Sequence, residues 1–154
     1  MEYNFSKENI VALLSESDPQ KIKRLYEDAF RTKVEHVGNK VYLRGLVEIT
    51  NICRKNCLYC GIRKENQNND RYEIDSEDVI AAAKFAYQQG YGSMVIQGGE
   101  RNDKKFITKI TSILKQIREI DPESPLGITL SLGEQSLEVY QEWFEAGAHR
   151  YLLR

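Results

Sequence analysis

Long apolar runs are missing from this sequence of 154 residues. No stretch approaches the ~20 apolar residues that a membrane helix needs, so a helical span is excluded. An excess of charge of one sign is missing as well. The 22 lysines and arginines stand against 23 aspartates and glutamates, for a net charge of -1. No global field then draws the chain to nucleic acid or to an anionic membrane surface. Proline is scarce, at three residues, and glycine stops at ten. That excludes a collagen-like chain, and a hydrophobic share of 41% excludes a disordered one. The opening MEYNFSKENIVALLSESD carries acids early and has no long apolar stretch ahead of a cleavage site. It does not read as a secretory signal, and the expected location is the cytosol. The length is that of one domain and suffices to bury roughly two-thirds of the unfolded surface.

Cysteine is also scarce, but its three copies are crowded together. Cys53, Cys57 and Cys60 lie within eight residues, in NICRKNCLYCGIR. An odd count in a chain expected to be cytosolic argues against a disulfide framework. A structural zinc site takes four ligands, of cysteine and histidine. The two histidines, His36 and His149, are distant in sequence, although His36 could return to the loop in three dimensions. Three clustered thiolates without an evident fourth also suit a [4Fe-4S] cluster with one iron open to a ligand. Spacing leaves these two readings, and that of free thiols, open.

The rest of the chain is patterned. Residues 1–38 read as a helical segment, with Ser6 capping a first helix and Asp18-Pro19 opening a second. Ile22, Leu25, Tyr26 and Ala29 give the second an apolar stripe. Residues 39–154 read as a second region. Strands are expected over 41–50, 93–97, 127–132 and 150–153, where short β-branched and apolar runs meet turn signals. Helices are expected over 76–89, 104–120 and 136–146, from apolar repeats at three and four residues. Strands and helices that alternate in this way predict a parallel α/β fold. In such folds the loops after the carboxyl ends of the strands carry the chemistry. The cysteine loop occupies that position after the first strand. Gly98-Gly99-Glu100 occupies it after the second, and Gly133-Glu134 after the third.

Each rim motif has two readings. Gly98 and Gly99 permit close backbone approach to a ligand, or merely form a tight turn before a solvated Glu100. Tyr59 could stack on a planar ring, or pack as a core aromatic under the loop. Ser131 and Glu134 could bond a hydroxyl-rich ligand, or open a helix. Arg63, Lys64 and Arg71 flank the loop, where most such charges are simply solvated.

Cys53-x-x-x-Cys57-x-Tyr59-Cys60, followed by Gly98-Gly99-Glu100, resembles the radical S-adenosylmethionine (SAM) superfamily. Within it, NICRKNCLYCGIR, TLSLGE and AGAHRYLLR look like the HydE family of [FeFe]-hydrogenase maturases, with methylornithine synthase and biotin synthase as relatives. The resemblance implies a (βα) parallel barrel, here its N-terminal part with about four strands. It implies that Cys53, Cys57 and Cys60 bind three irons of a [4Fe-4S] cluster whose fourth iron holds SAM. Tyr59 would lie near the adenine, and Gly98, Gly99 and Glu100 would hold the methionine amino group. Ser131, Glu134 and Arg154 would lie near SAM or line the central cavity. The reduced cluster would cleave SAM to methionine and a 5′-deoxyadenosyl radical, which acts on a small-molecule substrate. A reductant such as a ferredoxin or flavodoxin, and hydrogenase maturation proteins, are the implied partners.

Maturases of this family are much longer, and the sequence stops inside its fourth expected strand. A truncated form is therefore expected, with an open sheet edge and with its catalytic competence in question. Two other functions stay open: an amino-acid mutase of the methylornithine synthase type, and a non-catalytic fragment that binds metal or a partner.

Overall fold

A computed structural model of the chain describes residues 4–153. Arg154, a candidate cavity residue, lies outside the described residues. The chain divides into two compact units, Met1–Val41 and Tyr42–Arg154. The first holds α1 (Lys7–Leu14) and α2 (Pro19–Val37). The Ser6 hydroxyl accepts the amide of Asn9 at 3.3 Å and starts α1. The Asp18 carboxylate accepts the amide of Gln20 at 2.8 Å and starts α2. Pro19 follows Asp18 in the first turn, where its missing N–H has no helical partner to lose.

The second unit alternates, as its sequence pattern requires. Its elements are β1 (Gly45–Thr50), α3 (Ser76–Gln88), β2 (Ser93–Gly98), α4 (Lys104–Arg118), β3 (Gly127–Ser131), α5 (Leu137–Glu145) and β4 (Arg150–Tyr151). The four strands form one parallel sheet in the order β1-β2-β3-β4. The order never reverses, so the sheet has no switch point of the doubly wound kind. Winding in one direction with right-handed crossovers keeps every helix on the same face. This is the arrangement from which a (βα) barrel is built, and the chain forms part of one.

Strand alternation separates the two faces. In register, Val47, Ile96, Leu130 and Tyr151 form one row and Gly45, Met94 and Ile128 another. Five of these seven, Met94, Ile96, Ile128, Leu130 and Val47, lie in the core, under Val79, Ala83, Phe106, Ile110, Leu114 and Trp143 of the helices. The opposite face carries Leu46, Val95, Thr129 and Arg150 in one row, and Glu48, Gln97 and Ser131 in the row nearer the carboxyl ends. That upper row is wholly polar.

Three strands are shorter than the sequence suggests, β3 by the single residue Leu132. β1 begins at Gly45 and not at Val41, because pairing starts at Gly45 opposite Met94, near the first residue of β2. Val41, Tyr42 and Leu43 are left exposed despite their strand-like composition. β4 covers Arg150–Tyr151, and its pairs are with Thr129 and Leu130 of β3. No described helix is long and apolar enough to cross a membrane.

Glu73, just ahead of α3, ties this unit's first crossover to the next one. Its carboxylate pairs with Arg101 and, at 2.8 Å, with the Lys109 ammonium. The Lys109 hydrogen bond, seconded by Arg101 and opposed by burial, holds the Glu73 carboxyl below its ordinary value of 4.5. A lowered carboxyl contributes stability above its unfolded value and loses it as pH falls through the folded one. Glu73→Gln should therefore cost on the order of 1 kcal/mol at neutral pH. The gap to the wild type should close as pH falls below about 4.5. Urea unfolding of both proteins across that range checks this, and a gap independent of pH contradicts it.

Candidate functional site

The crossover from β1 to α3 opens with residues 51–72, which contain neither helix nor strand. Many of their backbone polar groups are satisfied by side chains, beside a few backbone turns. Thr50, buried at the end of β1, donates its hydroxyl proton to the Tyr72 carbonyl (2.7 Å) and accepts the Ile52 amide (3.1 Å). The Asn51 side chain bonds the Asp70 carbonyl and the Tyr72 amide, at 2.7 and 2.8 Å. Arg71 reaches across the loop, donating from Nη1 to the carbonyls of Asn51 and Ile62 and from Nη2 to those of Arg63 and Asn66, at 2.7–2.9 Å. The two ends of the loop are thereby brought to one point.

The three thiols are free, with Cys57 exposed and Cys53 and Cys60 half-buried. The Cys60 amide donates to the Cys57 carbonyl at 2.9 Å, closing a tight turn between them. Among the described residues, no group of three or more His, Cys, Asp or Glu side chains is gathered around one point where a single metal ion would sit. Ligands of an iron–sulfur cube bind separate irons, so they stand further apart than the ligands of one ion. His149 accepts the Ile128 amide at 3.2 Å, at the amino end of β3 and away from the rim. The Nδ1 of His36 lies 2.9 Å from the Thr32 carbonyl of its own helix. Three thiols on one short loop are a donor set suited to an iron–sulfur cluster.

The cysteine loop abuts the turn after β2. The Gly99 amide donates to the Thr50 carbonyl at 3.0 Å, and the Arg54 amide to the Glu100 carbonyl at 2.9 Å. The Glu100 amide points at Cys53 Sγ, 3.3 Å away. A side chain at residue 99 has no room. Its Cβ would overlap the Ile52 carbonyl and stand 2.8 Å from Cys53 Cβ. Glycine is required here by close approach and not by an unusual φ.

Glu100 is 7% exposed, and its carboxylate is fully engaged. Oε1 receives Arg54 Nε and Nη2, both at 2.7 Å, with the Lys55 ammonium at 3.6 Å. Oε2 receives the Glu134 amide at 2.8 Å. This last bond joins the loops after β2 and β3. Gly133, at φ +80°, makes room for it, since a Cβ there would lie 2.5 Å from Glu100 Oε2. The Lys55 ammonium bonds Glu134 Oε2 at 2.8 Å. The Glu134 bond, then the Glu100 charge, pushes the Lys55 pKa up, and Lys55 in turn holds Glu134 below the usual carboxylate range.

Of the sequence candidates, the rim thus brings together Cys53, Gly98, Gly99, Glu100 and Glu134. Ser131 is buried at the end of β3, in the same polar row as Gln97 and Glu48. Tyr59 is 89% exposed. It is therefore not a core aromatic, and its ring is open to a planar ligand. A cavity of about 390 Å³ runs between Cys60 and this polar row, lined by Thr50, Tyr72, Glu48 and Gln97 among others. On its floor Gln97 donates to Glu48 Oε1 at 2.6 Å. The sequence reading did not single out Arg54, Lys55, Glu48 or Gln97. The signal for the first two was their place inside the cysteine loop. For the other two it was a polar side chain toward the carboxyl end of a largely apolar strand. Arg71, read as a solvated flank, is a structural clamp.

Gly99→Ala should force the Ile52–Cys53 backbone away from the turn. A loss of about 1–3 kcal/mol of stability is expected, as for a small-to-large change in a packed site. Thermal unfolding checks this, and an unchanged midpoint contradicts the close approach.

Comparison with known proteins agrees with this geometry. Residues 47–153 match the Radical SAM superfamily. The chain is 39% identical over 151 residues to the [FeFe] hydrogenase maturase subunit HydE of Thermotoga maritima, covering 97% of this chain and 42% of that one. It is 30% identical over 131 residues to a biotin synthase of Magnetococcus marinus, covering 82% and 40%. Methylornithine synthase (PylB) shares the fold, with a TM-score of 0.74 at 21% identity, over 98% of this chain and 44% of that one. So does the maturase HydG of Carboxydothermus hydrogenoformans, with a TM-score of 0.68 at 21% identity, over 96% and 34%. The chain spans about two-fifths of the length of the curated relatives it matches. By its matched residues and its parallel sheet, the chain belongs to the radical SAM superfamily.

Proposed function

We propose that this chain carries the cluster- and SAM-binding part of a radical SAM enzyme of the HydE type. The observation behind this reading is the junction of the cysteine loop with the Gly98-Gly99-Glu100 turn. There a backbone amide faces Cys53 Sγ at 3.3 Å and no side chain intervenes. Cys53, Cys57 and Cys60 would hold three irons of a [4Fe-4S] cluster. A bound cluster supplies the electron that cleaves SAM to methionine and a 5′-deoxyadenosyl radical.

The protein's own part is to bind, orient and exclude water. The backbone at Gly98 and Gly99 offers close approach to the methionine end of SAM. Glu100 is held by Arg54 and Lys55, so it fixes the course of that backbone. Tyr59 offers an exposed ring to the adenine, and Ser131 and Glu134 offer oxygen atoms to the ribose. Arg154 is proposed as a further cavity residue. The polar row of Glu48, Gln97 and Ser131 faces the side on which a small-molecule substrate would lie. A ferredoxin or flavodoxin would supply the electron, other hydrogenase maturation proteins would be the working partners, and the reduced cytosol would be the setting.

The 39% identity to HydE favours the maturase reading over the mutase one. Anaerobic reconstitution with iron and sulfide tests the proposal. The expected outcome is a brown protein with about four irons per chain, whose reduced EPR signal changes when SAM is added. Cys57→Ala should abolish assembly. Uptake of zinc alone, or of no metal, would overturn the reading and leave a non-catalytic remnant.

A further inference from the structure

Four backbone carbonyls converge on one side chain in the cysteine loop. Asn51 lies two residues before Cys53, Ile62 and Arg63 lie two and three after Cys60, and Asn66 lies beyond them. Their oxygens all accept from the Arg71 guanidinium, at 2.7–2.9 Å. The contacts bracket the three cysteines on both sides. Carbonyl oxygens cannot bond one another, and four of them turned toward one point repel unless a multiple donor stands between them. A guanidinium offers five N–H groups in a fixed planar fork, whereas an ammonium is a point charge with three. Nearby side chains reinforce the arrangement, since Asn66 and Asn69 both donate to the Gly61 carbonyl, at 2.8 and 2.6 Å.

We infer that Arg71 is a positioning residue for the iron–sulfur cluster. It closes the cysteine loop before the metal arrives and fixes the spacing at which the three thiolates meet the irons. The inference rests on the cluster-binding reading above and adds the residue on which its grip depends. It assigns Arg71 no contact with the irons or with SAM. Arg71 acts through the backbone that bears the ligands, in the way that outer partners of metal ligands set affinity. Closing both ends of the loop in the apo-protein also removes entropy that cluster binding would otherwise have to overcome.

The test compares the full chain with Arg71→Lys and Arg71→Ala. Urea unfolding first establishes that each variant is folded. In the apo-protein, hydrogen exchange follows the amides of Cys60, Arg63 and Lys64, which are bonded within the loop. After anaerobic reconstitution, the rate of iron loss to a chelator is measured. Both variants should lose iron about tenfold faster or more than the wild type, and their loop amides should exchange faster while those of the core strands do not. Iron retention equal to wild type in Arg71→Ala would overturn the inference. So would full rescue by Arg71→Lys, because charge and not the fork would then suffice. If the wild type itself takes up no iron, the cluster reading fails. The exchange of the apo loop then still shows whether Arg71 clamps it.

Discussion

A Cβ at residue 99 would overlap the Ile52 carbonyl and press on Cys53, and the geometry of the rim follows from the space its absence leaves. Because the chain can pass so closely, the loop after β1 lies directly on the turn after β2. The Gly99 amide completes the ladder to Thr50, and the next amide faces a cysteine sulfur. Glu100 then falls where Arg54, Lys55 and the Glu134 amide can all reach it. A buried carboxylate with two cations and a backbone donor is stable where an unpartnered one would not be. One backbone contact thus aligns three loops from three strands and leaves a sulfur-bearing edge facing the cavity.

The sheet explains why such a rim exists. A parallel sheet wound in one direction brings every carboxyl end to the same side. The helices cover one face with apolar side chains, and the other face is free to be polar near that end. Glu48, Gln97 and Ser131 are aligned across three strands by register. Below them come Leu46, Val95, Thr129 and Arg150, so the face changes from a mixed row to a wholly polar one along the strands toward the thiols.

Much of this was legible in the sequence. The alternation of apolar periods gave the order of elements, and three crowded cysteines marked the rim before any fold was known. Capping residues such as Ser6 and Asp18 fixed helix starts to the residue. The failures have physical causes. Val41, Tyr42 and Leu43 look like a strand, but a strand needs a partner in register, and pairing begins at Gly45. Arg71 looked like a solvated charge because local sequence does not show which carbonyls a long side chain will meet across a loop. Arg54 and Lys55 were passed over because their partner, Glu100, lies some 46 residues away, joined to them by the sheet and not by the chain. Tyr59 was placed by its neighbours on the loop, and its exposure depends on tertiary packing.

The central claim is that three thiolates share one cube and leave a single iron open. Mössbauer spectroscopy of the chain reconstituted with enriched iron, recorded with and without SAM, addresses it most directly. The account predicts that about one iron in four changes its parameters on adding SAM while the other three do not. Four equivalent irons that ignore SAM, or a spectrum without a cubane cluster, would contradict it.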